Sequence, residues 1–125
     1  MAKILIVEDE EAQRLLYETE ISEMGHDVVL AADGEAAVQK VRNEKPDLLI
    51  LDLMMPKVHG LDALRKALSL NPNLPVIIHT AYSHFKDNHL SWAAEAYVVK
   101  SSDLTELRNA IKRTLAGQVT SQSIR

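Results

Sequence analysis

The sequence from residue 47 to residue 56 is Asp-Leu-Leu-Ile-Leu-Asp-Leu-Met-Met-Pro. A short apolar run bounded by turn-forming residues is typical of a strand that is buried on both faces of a parallel sheet. This run ends on the carboxylate of Asp52, and Pro56 and Gly60 follow it. Because ligands bind at the carboxyl ends of the strands in open α/β sheets, Asp52 is the first candidate functional residue.

The same order of strand and then helix recurs along the chain. Short apolar runs alternate with segments in which apolar residues recur every three or four positions. Asp103 and Glu106 have the spacing of a capping box at the start of the last of these segments, and Gly117 is a helix-ending residue. We predict strands at 3–7, 26–31, 47–52, 75–80 and 96–100, and helices at 11–24, 35–43, 61–70, 83–94 and 104–116.

Five strands that alternate with five helices favour an α/β fold with a parallel sheet between two helical layers. Crossovers in such folds are right-handed. We predict a three-layer, doubly wound (βα)5 sandwich whose five strands lie in the flavodoxin-like order 2-1-3-4-5. Residues 1–117 would form this single domain, and residues 118–125 a polar tail or a truncated linker.

Composition and charge exclude several classes of function. The net charge of −4, without a basic block, argues against direct binding of nucleic acid. There is no cysteine, so disulfides and cysteine-bound metals are excluded. No apolar run approaches the roughly 20 residues that a membrane span needs, and no secretory signal opens the sequence. We therefore expect a cytoplasmic protein that does not bind membranes.

The predicted strand order brings acidic residues together. Strand 1 is followed by Glu8 and Asp9, and strand 3 ends in Asp52. In the predicted order these two strands are neighbours, so the three carboxylates would meet at one edge of the sheet. Three such groups repel each other unless a cation lies among them. Mg²⁺, with Mn²⁺ as a substitute, is the cation that carboxylates, water and phosphate oxygens suit best.

Two further side chains complete a chemical proposal. The strands beside strand 3 end in Thr80 and Lys100. A hydroxyl and an ammonium in those places could contact an anion held over Asp52. A metal, a lysine and a hydroxyl around one carboxylate indicate phosphoryl transfer, with Asp52 attacking phosphorus as the nucleophile.

These motifs, taken in order, resemble those of response regulator receiver domains of two-component signalling, of the chemotaxis-receiver-like kind. The resemblance covers residues 3–116 and is specific because four motifs occur in sequence at the strand ends. The motifs are Val7-Glu8-Asp9, Leu51-Asp52-Leu53-Met54-Met55-Pro56 with Gly60, Thr80-Ala81, and Tyr97-Val98-Val99-Lys100.

The resemblance implies a role for each site residue. Asp52 would be the phosphoacceptor, with a phosphohistidine of a sensor histidine kinase or a histidine phosphotransfer protein as the donor. The metal ligands would be Asp9 directly, Glu8 through water, Asp52 and the backbone carbonyl of Met54. The phosphoryl group would be bound by Thr80, Ala81 and Lys100, and the conformational switch would consist of Thr80 and Tyr97.

The resemblance also implies how the signal leaves the domain. The surface of the predicted helix at 83–94, the fifth strand and the last helix would change shape and be recognised by a downstream protein or by an output domain beyond this chain. Such a domain is a signalling switch that assists its own phosphorylation and dephosphorylation, and no independent substrate turnover is expected.

Bulky residues at Met54 and Tyr82 would shield the acyl phosphate from water and give it a long lifetime.

One residue departs from the family pattern. The lysine of strand 5 is usually followed by a proline in a cis peptide bond, but Ser101 follows Lys100 here. Because a cis bond to another residue costs about 3–4 kcal/mol, we expect a trans bond and a shifted loop, which puts the aim of Lys100 in question.

Two other functions remain open. A receiver-like adapter would bind its partner without phosphorylation, and Ser101 is the feature that favours it. A phosphohydrolase of the haloacid-dehalogenase type would also form an aspartyl phosphate. It would need a second aspartate two positions after the nucleophile, where this chain has Met54.

Overall fold

The computed structural model describes residues 1–53, 60–81 and 93–124. Within these residues lie five strands and four helices. Their order is β1 (Lys3–Val7), α1 (Glu11–Glu23), β2 (Asp27–Ala31), α2 (Gly34–Glu44), β3 (Leu48–Leu51), α3 (Gly60–Leu70), β4 (Val76–Thr80), β5 (Ala96–Val99) and α4 (Thr105–Ile124). The helix predicted at 83–94 falls largely outside the described residues.

The five strands form one parallel sheet in the order β2-β1-β3-β4-β5, which confirms the predicted topology. The strands end nearly level with one another. Val7 at the end of β1 is paired with Ala31 of β2 and with Leu51 of β3, and Thr80 of β4 is paired with Val99 of β5. All the loops that follow the strands therefore leave from one edge of the sheet.

Each face of the sheet carries its own apolar core, because successive strand residues point to opposite faces. Leu49 and Leu51 pack on the side of α2 and α3, whereas Leu48 and Ile50 pack on the side of α1 and α4. All four residues of β3 are apolar and buried, as predicted for a strand that is covered on both faces. The sheet thus separates two helical layers, and the helices on both faces confirm the predicted class.

Gly60 begins α3 where two backbones approach each other closely. Its N–H donates to the Leu53 carbonyl oxygen at 3.1 Å. A Cβ at position 60 would overlap the Leu53 Cα and lie 2.6 Å from the Leu53 carbonyl carbon. Only glycine fits this contact without moving the backbone, and Leu53 directly follows Asp52. Gly60 therefore ties the start of α3 to the end of the strand that carries the candidate functional residue.

The prediction that the last helix ends at Gly117 was wrong, because α4 continues to Ile124. Glycine costs a helix interior only about 1 kcal/mol relative to alanine, and no proline follows it to stop the helix. At the other end of α4, the Asp103 carboxylate accepts hydrogen bonds from the N–H of Thr105 at 2.9 Å and from its hydroxyl at 2.6 Å. The Asp103 carboxylate therefore binds the first residue of the helix, but the Asp103 N–H donates to the Ser101 hydroxyl at 3.1 Å, which takes the place of the Glu106 side chain in the predicted capping box.

Candidate functional site

Backbone hydrogen bonds hold three candidate residues just beyond the ends of their strands. The N–H of Glu8 donates to Ala31 O at 3.1 Å, and the N–H of Asp52 donates to Val7 O at 3.2 Å. The N–H of Lys100 donates to Thr80 O at 2.7 Å. These bonds continue the pairing of the sheet by one residue. The backbones of Glu8, Asp52 and Lys100 are therefore fixed by the sheet itself, although their side chains lie in the loop region.

The three predicted carboxylates do meet at this edge. Glu8, Asp9 and Asp52 each offer an oxygen, and these oxygens all lie within 4.8 Å of one another. Glu8 is 2% exposed and Asp52 is 6% exposed, whereas Asp9 lies at the surface. Buried carboxylates need a cation or a proton to offset their mutual repulsion. The donor set consists of hard carboxylate oxygen atoms, which are suited to Mg²⁺.

Lys100 supplies part of the missing positive charge. Its Nζ lies 2.6 Å from Glu8 Oε1 and 2.7 Å from Asp52 Oδ2, and the ammonium is largely buried with them. One ammonium against three carboxylates leaves a formal charge of −2 at the site. A single divalent cation would neutralise that charge.

For both Glu8 and Lys100, burial and hydrogen bonding have opposite effects on the pKa. Burial raises the pKa of the Glu8 carboxyl, and the hydrogen bond from Lys100 opposes that rise. For Lys100, burial lowers the pKa, but the hydrogen bonds to Asp52 and Glu8 outweigh it and the pKa is raised overall. Lys100 is therefore firmly charged at neutral pH, and it remains a fixed positive charge beside Asp52.

Thr80 is the one buried residue whose hydroxyl lacks a hydrogen-bond partner among the residues that the structure describes. Its side chain is fully buried at the end of β4, the neighbour of β3. Buried polar groups are nearly always paired, so an orphaned hydroxyl calls for an explanation. An anion held over Asp52 is one partner that this hydroxyl could bind. Ala81 follows Thr80 and is exposed at the same edge.

Tyr97 lies in β5 and is partly buried against the apolar core on the α2 and α3 side. Two other predicted positions, Met54 and Tyr82, lie outside the described residues. The metal-ligand role of the Met54 carbonyl and the shielding roles of both side chains therefore remain predictions.

Ser101 does not misdirect Lys100. No cis peptide bond occurs in the described part of the chain, so the Lys100–Ser101 bond is trans, as the sequence predicts. The Ser101 hydroxyl donates to Asp103 O at 2.8 Å and accepts from Asp103 N at 3.1 Å. Serine thus organises the turn into α4, and Lys100 still contacts Asp52.

Sequence reasoning missed three residues of α1. Gln13 Oε1 accepts from Lys100 Nζ at 2.9 Å, and the Tyr17 hydroxyl donates to the same oxygen at 3.2 Å. The Arg14 guanidinium donates to Glu8 O at 2.9 Å. One signal was available, since α1 begins directly after the acidic pair and its first turns must lie beside the site.

Comparison with known proteins identifies the family of this chain. The family model described as the response regulator receiver domain matches residues 4–112. The chain belongs to that family. Its members act in two-component signalling, so the predicted resemblance and the predicted signalling role are both confirmed at this level.

Several relatives are similar over nearly all of this chain. Response regulator ArlR of Staphylococcus saprophyticus is 38% identical over 120 residues, which are 94% of this chain and 54% of the relative. The probable transcriptional regulator ycf27 of Porphyridium aerugineum is 39% identical over 115 residues, 90% of this chain and 48% of the relative. The chain therefore spans about half the length of these curated relatives.

Solved structures of similar proteins have the same fold as this chain. The response regulator protein TrrA of Thermotoga maritima, in complex with Mg²⁺-BeF, is 38% identical with a TM-score of 0.87, over 91% of this chain and 99% of that one. TrrA in complex with the histidine kinase ThkA gives a TM-score of 0.85 at 38% identity, over 92% of this chain and 99% of the matched chain.

Among the described residues, no helix is long and apolar enough to span a membrane.

Proposed function

We propose that this receiver domain accepts a phosphoryl group on Asp52 in a reaction that requires Mg²⁺. The observation that carries the proposal is the convergence of Asp52 with two further carboxylates and with the Lys100 ammonium at one edge of the sheet. The donor is a phosphohistidine of a sensor histidine kinase or of a histidine phosphotransfer protein. The structure of the similar TrrA with a histidine kinase supports this choice of donor.

The metal site is formed by carboxylates from two neighbouring strand ends. Asp9, the exposed member of the acidic pair, binds Mg²⁺ directly, Glu8 binds it through water, and Asp52 and the Met54 carbonyl complete the protein ligands. When bound, Mg²⁺ supplies positive charge to the phosphoryl oxygens and to the attacking carboxylate. The Mg²⁺-BeF complex of the similar TrrA supports the choice of metal. Mn²⁺ prefers the same hard oxygen ligands and substitutes for it.

The reaction is a transfer between two protein side chains. A carboxylate oxygen of Asp52 forms a bond to phosphorus as the bond from phosphorus to the donor imidazole nitrogen breaks. The bonding electron pair leaves with that nitrogen. The ammonium of Lys100, already within hydrogen-bond distance of Asp52, then binds a phosphoryl oxygen and offsets its negative charge.

Thr80 and Tyr97 convert this chemistry into a change of shape. The orphaned hydroxyl of Thr80 gains its missing partner by donating to a phosphoryl oxygen, and the Ala81 N–H binds a second one. Because Thr80 is fully buried, its movement toward the phosphoryl group frees space, and Tyr97 moves inward to fill it. The surface of the predicted helix at 83–94, β5 and α4 changes with it.

A partner recognises the altered surface. The curated relatives are about twice as long as this chain and include transcriptional regulators, which supports an output domain or a separate downstream protein as the recipient. The domain is a cytoplasmic signalling switch, without substrate turnover of its own. A phosphorylation-independent adapter is less well supported, because Lys100 contacts Asp52 despite Ser101.

Intact-protein mass after incubation with acetyl phosphate tests the proposal. We expect one added phosphate in the native chain with Mg²⁺ and none without it. Asp52→Asn abolishes the adduct, whereas the matched control Asp62→Asn, on the exposed side of α3, retains it. An adduct that persists in Asp52→Asn would contradict the proposal. If no adduct is seen, a phosphate-release assay distinguishes fast turnover from an inert site, and an inert site favours the adapter.

A further inference from the structure

Lys100 has a third hydrogen-bond partner that differs in kind from the other two. An ammonium has three N–H donors. Those of Lys100 are taken by Glu8 Oε1, Asp52 Oδ2 and Gln13 Oε1, at 2.6, 2.7 and 2.9 Å. The first two acceptors are carboxylates of the acidic site, whereas the third is a neutral amide oxygen on α1. All three donors are thus satisfied by acceptors of the protein itself.

The Gln13 side chain is itself held in place by Tyr17, one turn further along α1. Tyr17, four residues later and on the same face of α1, donates its hydroxyl to the same amide oxygen at 3.2 Å. The Tyr17 ring is 5% exposed and packs edge-on against His79 of β4, with 5.0 Å between the ring centroids. Two donors on one oxygen determine which end of the Gln13 carboxamide faces Lys100.

The two carboxylate partners of Lys100 change during the proposed reaction, but Gln13 does not. Under the proposed function, Glu8 would hold Mg²⁺ through water, and Asp52 would become an acyl phosphate. An amide oxygen carries no net charge and takes part in neither event. It therefore holds the ammonium in place without competing electrostatically for it when the phosphoryl group arrives.

We propose that Gln13, oriented by Tyr17, is a positioning residue that keeps the Lys100 ammonium aimed at Asp52. The proposal rests on the proposed function for its effect on phosphorylation, but its geometric part does not. The hydrogen bonds of Gln13 Oε1 join it to Lys100 and Tyr17, so its effect on Asp52 would pass through Lys100.

The test replaces Gln13 by leucine, which has a similar size and no acceptor. The matched control is Gln39→Leu, the same change at an exposed position of α2. The first readout is the ¹⁵N NMR signal of the Lys100 ammonium in the metal-free protein, assigned with Lys100→Met. We expect Gln13→Leu to speed exchange of these protons with water and broaden the signal, Tyr17→Phe to do so more weakly, and Gln39→Leu to leave it unchanged.

The second readout is the rate of phosphorylation by acetyl phosphate at saturating Mg²⁺. Loss of a hydrogen bond to a charged group is expected to slow Gln13→Leu about tenfold. In the Lys100→Met background the same substitution should cause no further slowing, because the group on which Gln13 acts is gone. A merely structural role would slow both backgrounds equally.

The two readouts distinguish failure of this inference from failure of the proposed function. An unchanged Lys100 signal in Gln13→Leu, or equal slowing with and without Lys100, overturns the positioning role. A broadened signal in Gln13→Leu, together with a native chain that accepts no phosphate, supports the positioning of Lys100 and overturns the proposed function instead.

Discussion

At the level of single residues, Thr80 combines full burial with a hydroxyl that has no partner in the described part of the chain. An unsatisfied buried donor costs about 1–3 kcal/mol. Under the proposed function, a phosphoryl oxygen would supply the missing partner and relieve this cost, and such a difference in free energy between two states is what a switch requires.

Thr80→Val should accordingly stabilise the unphosphorylated protein, by about 1 kcal/mol, because valine has the same shape and no hydroxyl. Urea unfolding without Mg²⁺ or phosphodonor measures the change. Thr19→Val is the matched control, since that hydroxyl is exposed and already donates to Leu15 O at 3.0 Å. A loss of stability in Thr80→Val would show that the hydroxyl has a partner in solution.

His79 is a second buried residue with a measurable consequence. Burial first, and then the nearby Lys100 ammonium, lower its pKa from 6.5 to about 4. The unfolded chain binds a proton near pH 6.5 whereas the folded chain does not, so stability falls as the pH drops from 6.5 toward 4.

Between pH 7 and pH 5, His79 alone should remove about 2 kcal/mol of the free energy of unfolding. His79→Leu keeps an apolar side chain against Tyr17 and cannot titrate. Urea unfolding at the two pH values should show a smaller acid loss in the variant than in the native chain. Equal losses in both proteins would mean that His79 titrates normally in the folded state.

The site residues differ in how far the sequence predicts them. The sheet order alone brings the backbones of five site residues to one edge, because each lies at the end of a strand or just after it: Glu8, Asp9, Asp52, Thr80 and Lys100. Gln13 and Tyr17 lie on a helix, and their contact with Lys100 depends on how α1 is rotated over the sheet. That rotation depends on the detailed packing of side chains in the core, which the periodicity of apolar residues does not reveal.

At the level of elements, two glycines that the sequence places at helix ends differ in their surroundings. Gly60 is pressed against the Leu53 backbone, whereas a Cβ at Gly117 would meet nothing within 4 Å. The sequence marks both positions in the same way, as helix boundaries. Only the structure separates a glycine required by a close backbone contact from one inside a continuous helix.

Alanine substitutions should therefore have opposite effects at these positions. Gly60→Ala forces the backbone apart and should destabilise the fold by about 3 kcal/mol, the upper end for overpacking. Gly117→Ala lies inside α4 and should stabilise it by up to about 1 kcal/mol. Urea unfolding of the two variants measures both effects. A neutral Gly60→Ala would contradict the close contact with Leu53.

The helix boundaries show the limit of sequence patterns at this scale. Most elements begin and end within one or two residues of the predicted positions, because apolar periodicity and turn residues agree there. At the end of α4 they conflict, since Gly117 predicts a stop but the residues beyond it continue as helix. A glycine penalty of about 1 kcal/mol is too small to decide a helix end by itself.

At the level of the whole molecule, the strand order decides the chemistry. The alternation of strands and helices predicts a parallel sheet, but the pattern alone is compatible with more than one doubly wound order. Placing β1 beside β3 is what brings two acidic strand ends together. The resulting site has a formal charge of −2, and under the proposed function a divalent cation would bind there only in the folded state.

Mg²⁺ should consequently stabilise the folded chain, because the unfolded chain lacks the assembled carboxylates. At a free concentration of 100 times Kd the expected gain is about 2.7 kcal/mol. Urea unfolding with and without Mg²⁺ measures it, and Asp9→Asn should reduce it strongly. Asp27→Asn is the matched control, exposed at the opposite edge of the sheet. Equal gains in both variants would place the metal elsewhere.

The most direct test of the central claim identifies the phosphorylated residue chemically. Borohydride reduces an acyl phosphate to an alcohol, so a phosphorylated aspartate becomes homoserine and can be located by peptide mass spectrometry. After treatment of the native chain with acetyl phosphate and Mg²⁺, we expect homoserine at position 52 alone. Homoserine at another aspartate, or at none while phosphate is bound, would contradict the assignment of Asp52 as the phosphoacceptor.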